Sequence, residues 1–215
     1  DITRLDVRLV EPLDYTAGQF ADISIDALPG VSRSYSFATP SQPDGQLSFF
    51  VRKVPGGIFS TAVNAQDLVG QPMQIEGPSG NFWLRPADAP MLLLAGGSGL
   101  APVLALLQEA LAKGATRSAT LLFGARTESD LYALDEIESI ARQWQGDFRF
   151  IPVLSDCGSG ESWTGRRGLV TDIIPEIIVP GAHAYLCGPP AMTDAAVDSL
   201  TRQGVHCHSS TPEEQ

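Results

Sequence analysis

Through the first 88 residues, apolar positions fall on alternate places. In Ala21-Asp22-Ile23-Ser24-Ile25 every second residue is apolar, Leu47, Phe49 and Val51 repeat the pattern, and so do Met73 and Ile75. A period of two predicts strands with one buried face, and hence an antiparallel sheet or barrel. Turn-forming clusters separate these runs: Leu28-Pro29-Gly30, Pro43-Asp44-Gly45, Pro55-Gly56-Gly57 and Gly77-Pro78-Ser79-Gly80. Residues 2–9 read as a further strand, and 58–63 as a short helix.

The pattern changes at Pro86-Ala87-Asp88-Ala89-Pro90, which reads as a linker between a domain of residues 1–88 and one of residues 89–215. Residues 91–95 are continuously apolar, as a strand buried on both faces should be. Val103, Leu104, Leu107 and Leu111 then recur at helical spacing, and Gly114 is a helix stop. Residues 119–123 predict a second buried strand, and Leu134, Ile137, Ile140, Ala141 and Trp144 an amphipathic helix. Residues 148–154 read as a third strand, 170–178 as a helical stretch broken at Pro175, and 184–187 as a fourth strand. Met192, Ala195, Ala196 and Leu200 mark a last helix that ends by Gly204. Strands alternating with helices predict a parallel sheet with helices on both faces. Ligands of such sheets bind beyond the carboxyl ends of the strands, so the loops there are where chemistry is expected.

Composition narrows the picture. Hydrophobic residues make up 43% of the 215, enough for a core in each domain. No apolar run is long enough for a membrane span. A formal charge of −11 argues against general nucleic-acid binding, because the chain would repel phosphate. The three cysteines, Cys157, Cys187 and Cys207, are few and widely spaced. They imply no disulfide framework and cannot supply the four thiolates of a plant-type iron–sulfur cluster. His206-Cys207-His208 is too compact to wrap a tetrahedral ion, so no metal site is expected and a strand end with a frayed tail is. No signal peptide is read at the start, and a reducing cytoplasm fits. The chain opens on Asp1 rather than Met, which suggests a fragment or a processed chain.

Four segments carry candidate chemistry. Gly96-Gly97-Ser98-Gly99-Leu100-Ala101-Pro102 follows a strand and opens a helix. Glycines let a backbone approach a pyrophosphate, and a helix N-terminus offers free N–H groups; the alternative is a glycine-rich turn without a ligand. Cys187-Gly188-Pro189-Pro190 also follows a strand and opens a helix. A thiol at the mouth of a crevice suits packing against an uncharged ring, whereas a lone cysteine is otherwise a buried structural residue. Arg33-Ser34-Tyr35-Ser36 combines an arginine that suits phosphate, a tyrosine that can stack on a flat ring and a serine that can hydrogen-bond a ring nitrogen. Alternation puts Arg33 and Tyr35 on one face of that strand. Lys53-Val54-Pro55-Gly56-Gly57-Ile58-Phe59-Ser60 is either a second anion cradle or a hairpin loop.

In this order and spacing the four segments resemble the ferredoxin–NADP reductase superfamily over nearly the whole chain. Within it the chain is most similar to the reductase components of bacterial ring-hydroxylating and related oxygenases. The resemblance implies a two-domain fold, an antiparallel Greek-key β-barrel for FAD followed by an α/β parallel-sheet domain for NAD(P)H. It implies that Arg33 holds the FAD pyrophosphate, Tyr35 stacks on the isoalloxazine and Ser36 lies near flavin N5. Gly57 and Ser60 correspond to the family's phosphate turn, with Lys53 as a charged residue just before it, and Gly96, Gly97, Gly99 and Pro102 correspond to its nucleotide loop. Cys187, Gly188 and Pro189 correspond to the motif whose cysteine lies beside the nicotinamide, so Ser36 and Cys187 would bracket the reacting atoms.

Ser155-Asp156 stands where NADP-using relatives grip a 2′-phosphate. A carboxylate repels phosphate and accepts hydrogen bonds from a ribose diol, which favours NADH. Trp163 falls at the family's adenine-stacking position, while Arg126, Arg166 and Arg167 in neighbouring loops would attract a 2′-phosphate. Two departures stand out. The family's first strand, before the equivalent of residues 2–9, is not in this sequence, and no C-terminal aromatic residue is present to cover the flavin. The resemblance further implies a [2Fe-2S] cluster on an upstream domain or a separate ferredoxin, and a terminal oxygenase as partner. The alternatives are a flavin-containing electron-transfer subunit, or a reductase serving free flavin, a quinone or haem.

Overall fold

The computed structural model describes residues 2–65, 68–156 and 163–210. Its first part comprises strands β1 (Ile2–Arg8), β2 (Phe20–Ile25), β3 (Ser32–Ser36), β4 (Gln46–Arg52) and β5 (Met73–Ser79), with helix α1 (Ile58–Ala65) between β4 and β5. All pairings here are antiparallel: β1 with β4, and β2 with both β3 and β5. A bridge between Phe37 and Phe49 joins the two small sheets. Ala21, Ile23, Tyr35, Phe37, Leu47, Phe49, Val51 and Phe59 fill the space between them. The alternating apolar positions therefore face one core, as the sequence predicts.

Strand β4 departs from that pattern. Residues Leu47 to Val51 are buried without a break. The second face of β4 is covered by the α/β part, so Phe50 belongs to a core shared with that part rather than to solvent.

The second part is a six-stranded parallel sheet. Its strands are β6 (Met91–Gly96), β7 (Ala119–Ala125), β8 (Phe148–Leu154), β9 (Arg166–Arg167), β10 (His183–Cys187) and β11 (His206–Ser210), in the spatial order β11-β10-β6-β7-β8-β9. Helices α2 (Leu100–Ala112) and α3 (Leu134–Gln143) cover one face, and α4 (Val170–Ile177) and α5 (Pro190–Thr201) the other. The order of connection reverses between β6 and β10. That is the switch point at which such sheets open a crevice.

Pro175 does not break α4. The helix runs through it, and the Ile178 N–H still bonds the Ile174 carbonyl at 3.0 Å. Proline removes one intrahelical bond. Burial of Ile173, Ile174 and Ile177 against the sheet offsets that loss. The short strand β9 has no periodic signal and was invisible to pattern reading.

The two parts share one core. Ala17, Ala38, Phe50 and Phe82 from the barrel side pack with Leu93, Leu106, Tyr132 and Tyr185. A Cβ on Gly18 would lie 2.0 Å from the Phe82 carbonyl oxygen and 3.1 Å from Leu106, so only glycine fits that approach. Polar ties reinforce it. Arg4 on β1 pairs with Asp6 and with Glu136 of α3, while the Asp6 carboxylate accepts the Ser48 hydroxyl at 2.5 Å. The Arg85 N–H donates to the Tyr185 hydroxyl at 3.0 Å.

Candidate functional site

A crevice of about 510 Å³ opens at the carboxyl ends of β6, β7 and β8. Gly96 and Gly97 form its floor, Pro189 and Met192 one side, and Gly124, Arg126 and Asp130 the other. Ile2 and Arg52 line it from the barrel; they are register partners at the end of the β1–β4 pair. The crevice is therefore composite, with walls from both parts of the chain.

The loop glycines have distinct reasons for being there. Gly97 sits at φ +54°, a left-handed backbone that a side chain strains. A Cβ on Gly99 would lie 2.2 Å from the Cys187 carbonyl oxygen, and one on Gly96 would meet the Met192 sulfur at 2.7 Å. A Cβ on Gly188 would likewise meet Met192, at 2.5 Å. Gly96, Gly99 and Gly188 thus let the two post-strand loops pack on each other. Gly96 and Gly97 also line the crevice, where a dinucleotide could approach the backbone; Gly99 is buried beneath it. Pro102 is buried in the first turn of α2, where a proline costs no helical bond.

Cys187 is not at the mouth of the crevice. It is fully buried in the shared core, and burial pushes its thiol up to about 12, against the opposing contact with Ser210. The group is a neutral thiol at physiological pH. Two residues along the chain, Pro189 does reach the crevice.

At the far end, Arg126 and Asp156 face each other, Arg126 Nη2 lying 3.6 Å from Asp156 Oδ2, with the Asp156 N–H on the Arg126 carbonyl at 2.8 Å. Arg126 and Ser155 line the crevice. Asp130 beside them is held below the usual carboxylate range. Burial raises its pKa, but the Thr127 N–H and hydroxyl, with Arg126 and Arg52 nearby, outweigh that. Trp163, the residue expected to stack on adenine, is held by its own loop. Its indole N–H donates to the Arg166 carbonyl at 3.0 Å, and its ring covers Gly165, where a Cβ would come within 2.4 Å. Arg166 is paired with Glu176 on α4 at 2.7 Å.

On the barrel side, Tyr35 is 2% exposed, and its ring packs against Phe59 of α1 with centroids 5.5 Å apart. No face of the ring is open for stacking, because alternation aims Tyr35 inward beside Ala21, its partner on β2. Its hydroxyl is nevertheless buried without a hydrogen-bond partner, and burial raises its pKa to about 12 although Arg33 opposes this. Arg33 is half-buried at the rim and donates to the Ser32 carbonyl at 2.7 Å. Ser36 closes β3 opposite Phe20. Ser60 is buried and occupied, accepting the Val54 N–H at 3.1 Å and facing the Gly57 carbonyl at 3.3 Å. A Cβ on Gly57 would come within 2.6 Å of that hydroxyl. Gly57 and Ser60 thus knit the turn that starts α1, and Lys53 stands exposed at its beginning.

Sequence reading missed Ile2, Arg52, Asp130 and Tyr132. Arg52 carried the one available signal, a cation on the boundary of the Lys53–Ser60 segment. Tyr132 carried none, since its place in the crevice depends on the docking of the two parts.

Family models match the chain in two pieces. An oxidoreductase FAD-binding domain matches residues 1–83, and an oxidoreductase NAD-binding domain matches residues 93–198. The chain belongs to the FAD- and NAD-binding oxidoreductases of the ferredoxin–NADP reductase fold. The xylene/toluene monooxygenase electron transfer component XylA of Pseudomonas putida is 44% identical across 95% of this chain. The ferredoxin–NAD(P)+ reductase component of a naphthalene 1,2-dioxygenase system from the same species is 38% identical across 95%. The chain spans 59% and 62% of those two proteins' own lengths. Among solved structures, the Amycolatopsis cytochrome P450 reductase GcoB superposes with a TM-score of 0.83 at 34% identity, over 100% of this chain and 66% of that one. The ferredoxin reductase of carbazole 1,9a-dioxygenase gives 0.89 at 28%, over 98% and 64%.

Among the described residues, no helix is long and apolar enough to cross a membrane. Nor do any three His, Cys, Asp or Glu side chains among them gather in a way that could hold a metal ion.

Proposed function

We propose that the chain is the flavin- and nucleotide-binding part of a reductase. In this reading it draws two electrons from NADH onto FAD and hands them singly to a [2Fe-2S] centre that feeds an oxygenase. The observation that carries this is the composite crevice, in which Arg52 and Ile2 of the barrel face the Gly96-Gly97 loop. Only a shared wall of that kind brings a dinucleotide on the sheet to a ring system on the barrel.

The residues present fit both groups. The buried, unpartnered Tyr35 hydroxyl is a polar atom awaiting a partner, and Arg33 is close enough to act on it; Lys53 and the start of α1 add cationic and N–H character on the same part of the chain. These residues, with Ser36, are assigned to FAD, and Gly96, Gly97, Arg126 and Pro189 to the dinucleotide. When bound, the flavin supplies the exchange between two-electron and one-electron chemistry. The chain's own task is alignment, which can be worth effective molarities on the order of 10⁵–10⁸ M. Its buried Cys187 is a neutral apolar neighbour and not an acid or base.

The Arg126–Asp156 pair favours NADH. A 2′-phosphate would have to displace the carboxylate from Arg126 and then sit beside it. A ferredoxin as partner, carrying the [2Fe-2S] centre on a separate protein or an upstream domain, is supported by the name of the naphthalene dioxygenase relative, a ferredoxin–NAD(P)+ reductase component. A cytoplasmic setting is consistent with free Cys187 and Cys207.

Anaerobic titration with NADH tests this reading. Purified protein should carry FAD, bleach with one equivalent of NADH, and reduce a ferredoxin faster than free flavin or a quinone. Protein that retains FAD without bleaching would refute it.

A further inference from the structure

Tyr132 is joined to both halves of the crevice. Its hydroxyl donates to the Gly97 carbonyl at 2.8 Å. Its ring packs T-shaped with Phe50 of the barrel, with centroids 5.0 Å apart at 75°, and with Phe123 of β7, at 5.5 Å and 84°. The same side chain therefore touches barrel, sheet and nucleotide loop. Burial lifts the phenol well above its ordinary pKa, so the group stays protonated and remains a donor.

The bonded carbonyl is a special one. Gly97 is the left-handed residue of the loop, and its carbonyl also accepts the Leu100 N–H that starts α2. Because the peptide is trans, fixing that carbonyl fixes the opposite direction of the Ser98 N–H. One hydroxyl thus sets the orientation of the loop peptide on which α2 begins.

We propose that Tyr132 is a positioning residue: it pins the Gly97 peptide at a height set by the barrel, and so aligns the bound dinucleotide with the ring system held on the barrel. This rests on the reductase reading above and adds to it a residue that acts through the loop rather than on the reacting atoms. Phe50 is the barrel's half of the pin. Movement of the barrel is transmitted through the two rings to the loop, which keeps donor and acceptor in register.

The test uses Tyr132→Phe, which keeps the ring and removes the donor, and Phe50→Leu, which keeps the donor and loosens the ring contact. In the cofactor-free protein, amide hydrogen exchange across residues 96–102 should quicken roughly fivefold in Tyr132→Phe. In the flavin-loaded protein, the saturating rate of reduction by NADH should fall roughly tenfold. The dissociation constant for NADH should hold within about threefold, because the floor of the crevice is still there. Phe50→Leu should show the same split with a smaller fall. Unchanged exchange together with a wild-type reduction rate would overturn the proposal, and so would a lowered melting temperature with no change in rate. Wild-type protein that NADH does not reduce would instead overturn the reductase reading and with it the role of Tyr132 in the reaction. The exchange measurement would then still decide whether Tyr132 holds the loop.

Discussion

The crevice on the α/β half and the cluster around Tyr35 on the barrel carry the same residue vocabulary, glycines, cations and hydroxyls at the start of a helix. They use it differently. Around the crevice the backbone does the work: Gly96 and Gly97 leave an open floor, and the side chains nearest it, Arg126, Asp130 and Tyr132, are tied to partners. On the barrel the hydroxyl of Ser60 is consumed in closing its own turn, while that of Tyr35 is buried with nothing to bond. A crevice built of backbone is complete before its ligand arrives. On the proposed reading, the cluster around Tyr35 is instead completed by its ligand.

The largest effect is expected from disturbing the packing beneath the backbone site. A valine at Gly99 would drive its Cβ into the Cys187 carbonyl. Gly99→Val should cost about 3 kcal/mol and disorder both post-strand loops, as read by denaturant unfolding. Gly97→Ala, in which strain at φ +54° is the main cost, should lose about 1 kcal/mol and weaken NADH while keeping FAD. Equal effects of the two substitutions would mean that the glycines share one role.

Tyr35→Phe probes the other side. Removing a buried hydroxyl that lacks a partner should leave the cofactor-free protein at least as stable, while weakening FAD roughly fivefold. Flavin affinity that does not change, measured by fluorescence titration, would show that the hydroxyl is an orphan in both states.

Asp156→Ala should shift the preference toward NADPH by only roughly threefold, read as the ratio of kcat/KM values. Both members of the Arg126–Asp156 pair are about two-thirds exposed or more, so water and salt screen them. A larger shift would make this carboxylate the main specificity determinant.

The smallest effect is expected at the histidines of β10 and β11, none of which lines the crevice. His183 and His208 lie below the ordinary imidazole value through burial. His206 and Arg117 press further on His183, and Arg85, His183 and His206 on His208. The unfolded chain therefore binds protons more readily than the native one, and stability should fall as pH drops below about 6.5. His208→Gln should flatten that slope in acid unfolding curves, and affinity for NADH should not follow it.

What the sequence made legible was whatever is periodic or punctuated by glycine. The alternation of Leu47, Phe49 and Val51, the apolar run beginning at Met91 and the Gly96-Gly97 loop all stand where the pattern puts them. Side-chain directions were not legible. Tyr35 was expected to offer a ring face and points into the core. Cys187 was expected at a mouth and is buried. Each of these depends on which neighbour covers a strand end, and that is settled by tertiary packing. Arg52 and Tyr132 were missed for the same reason: they matter because β4 is covered on its second face by the α/β half. Cys157, near Asp156, lies outside the described residues.

A structure of this chain with FAD and NAD+ both bound should show the dinucleotide along Gly96, Gly97 and Arg126, with its nicotinamide end meeting the flavin at the wall formed by Arg52 and Tyr132. A dinucleotide outside that crevice, or a flavin on the barrel that makes no contact with it, would rule out the composite site.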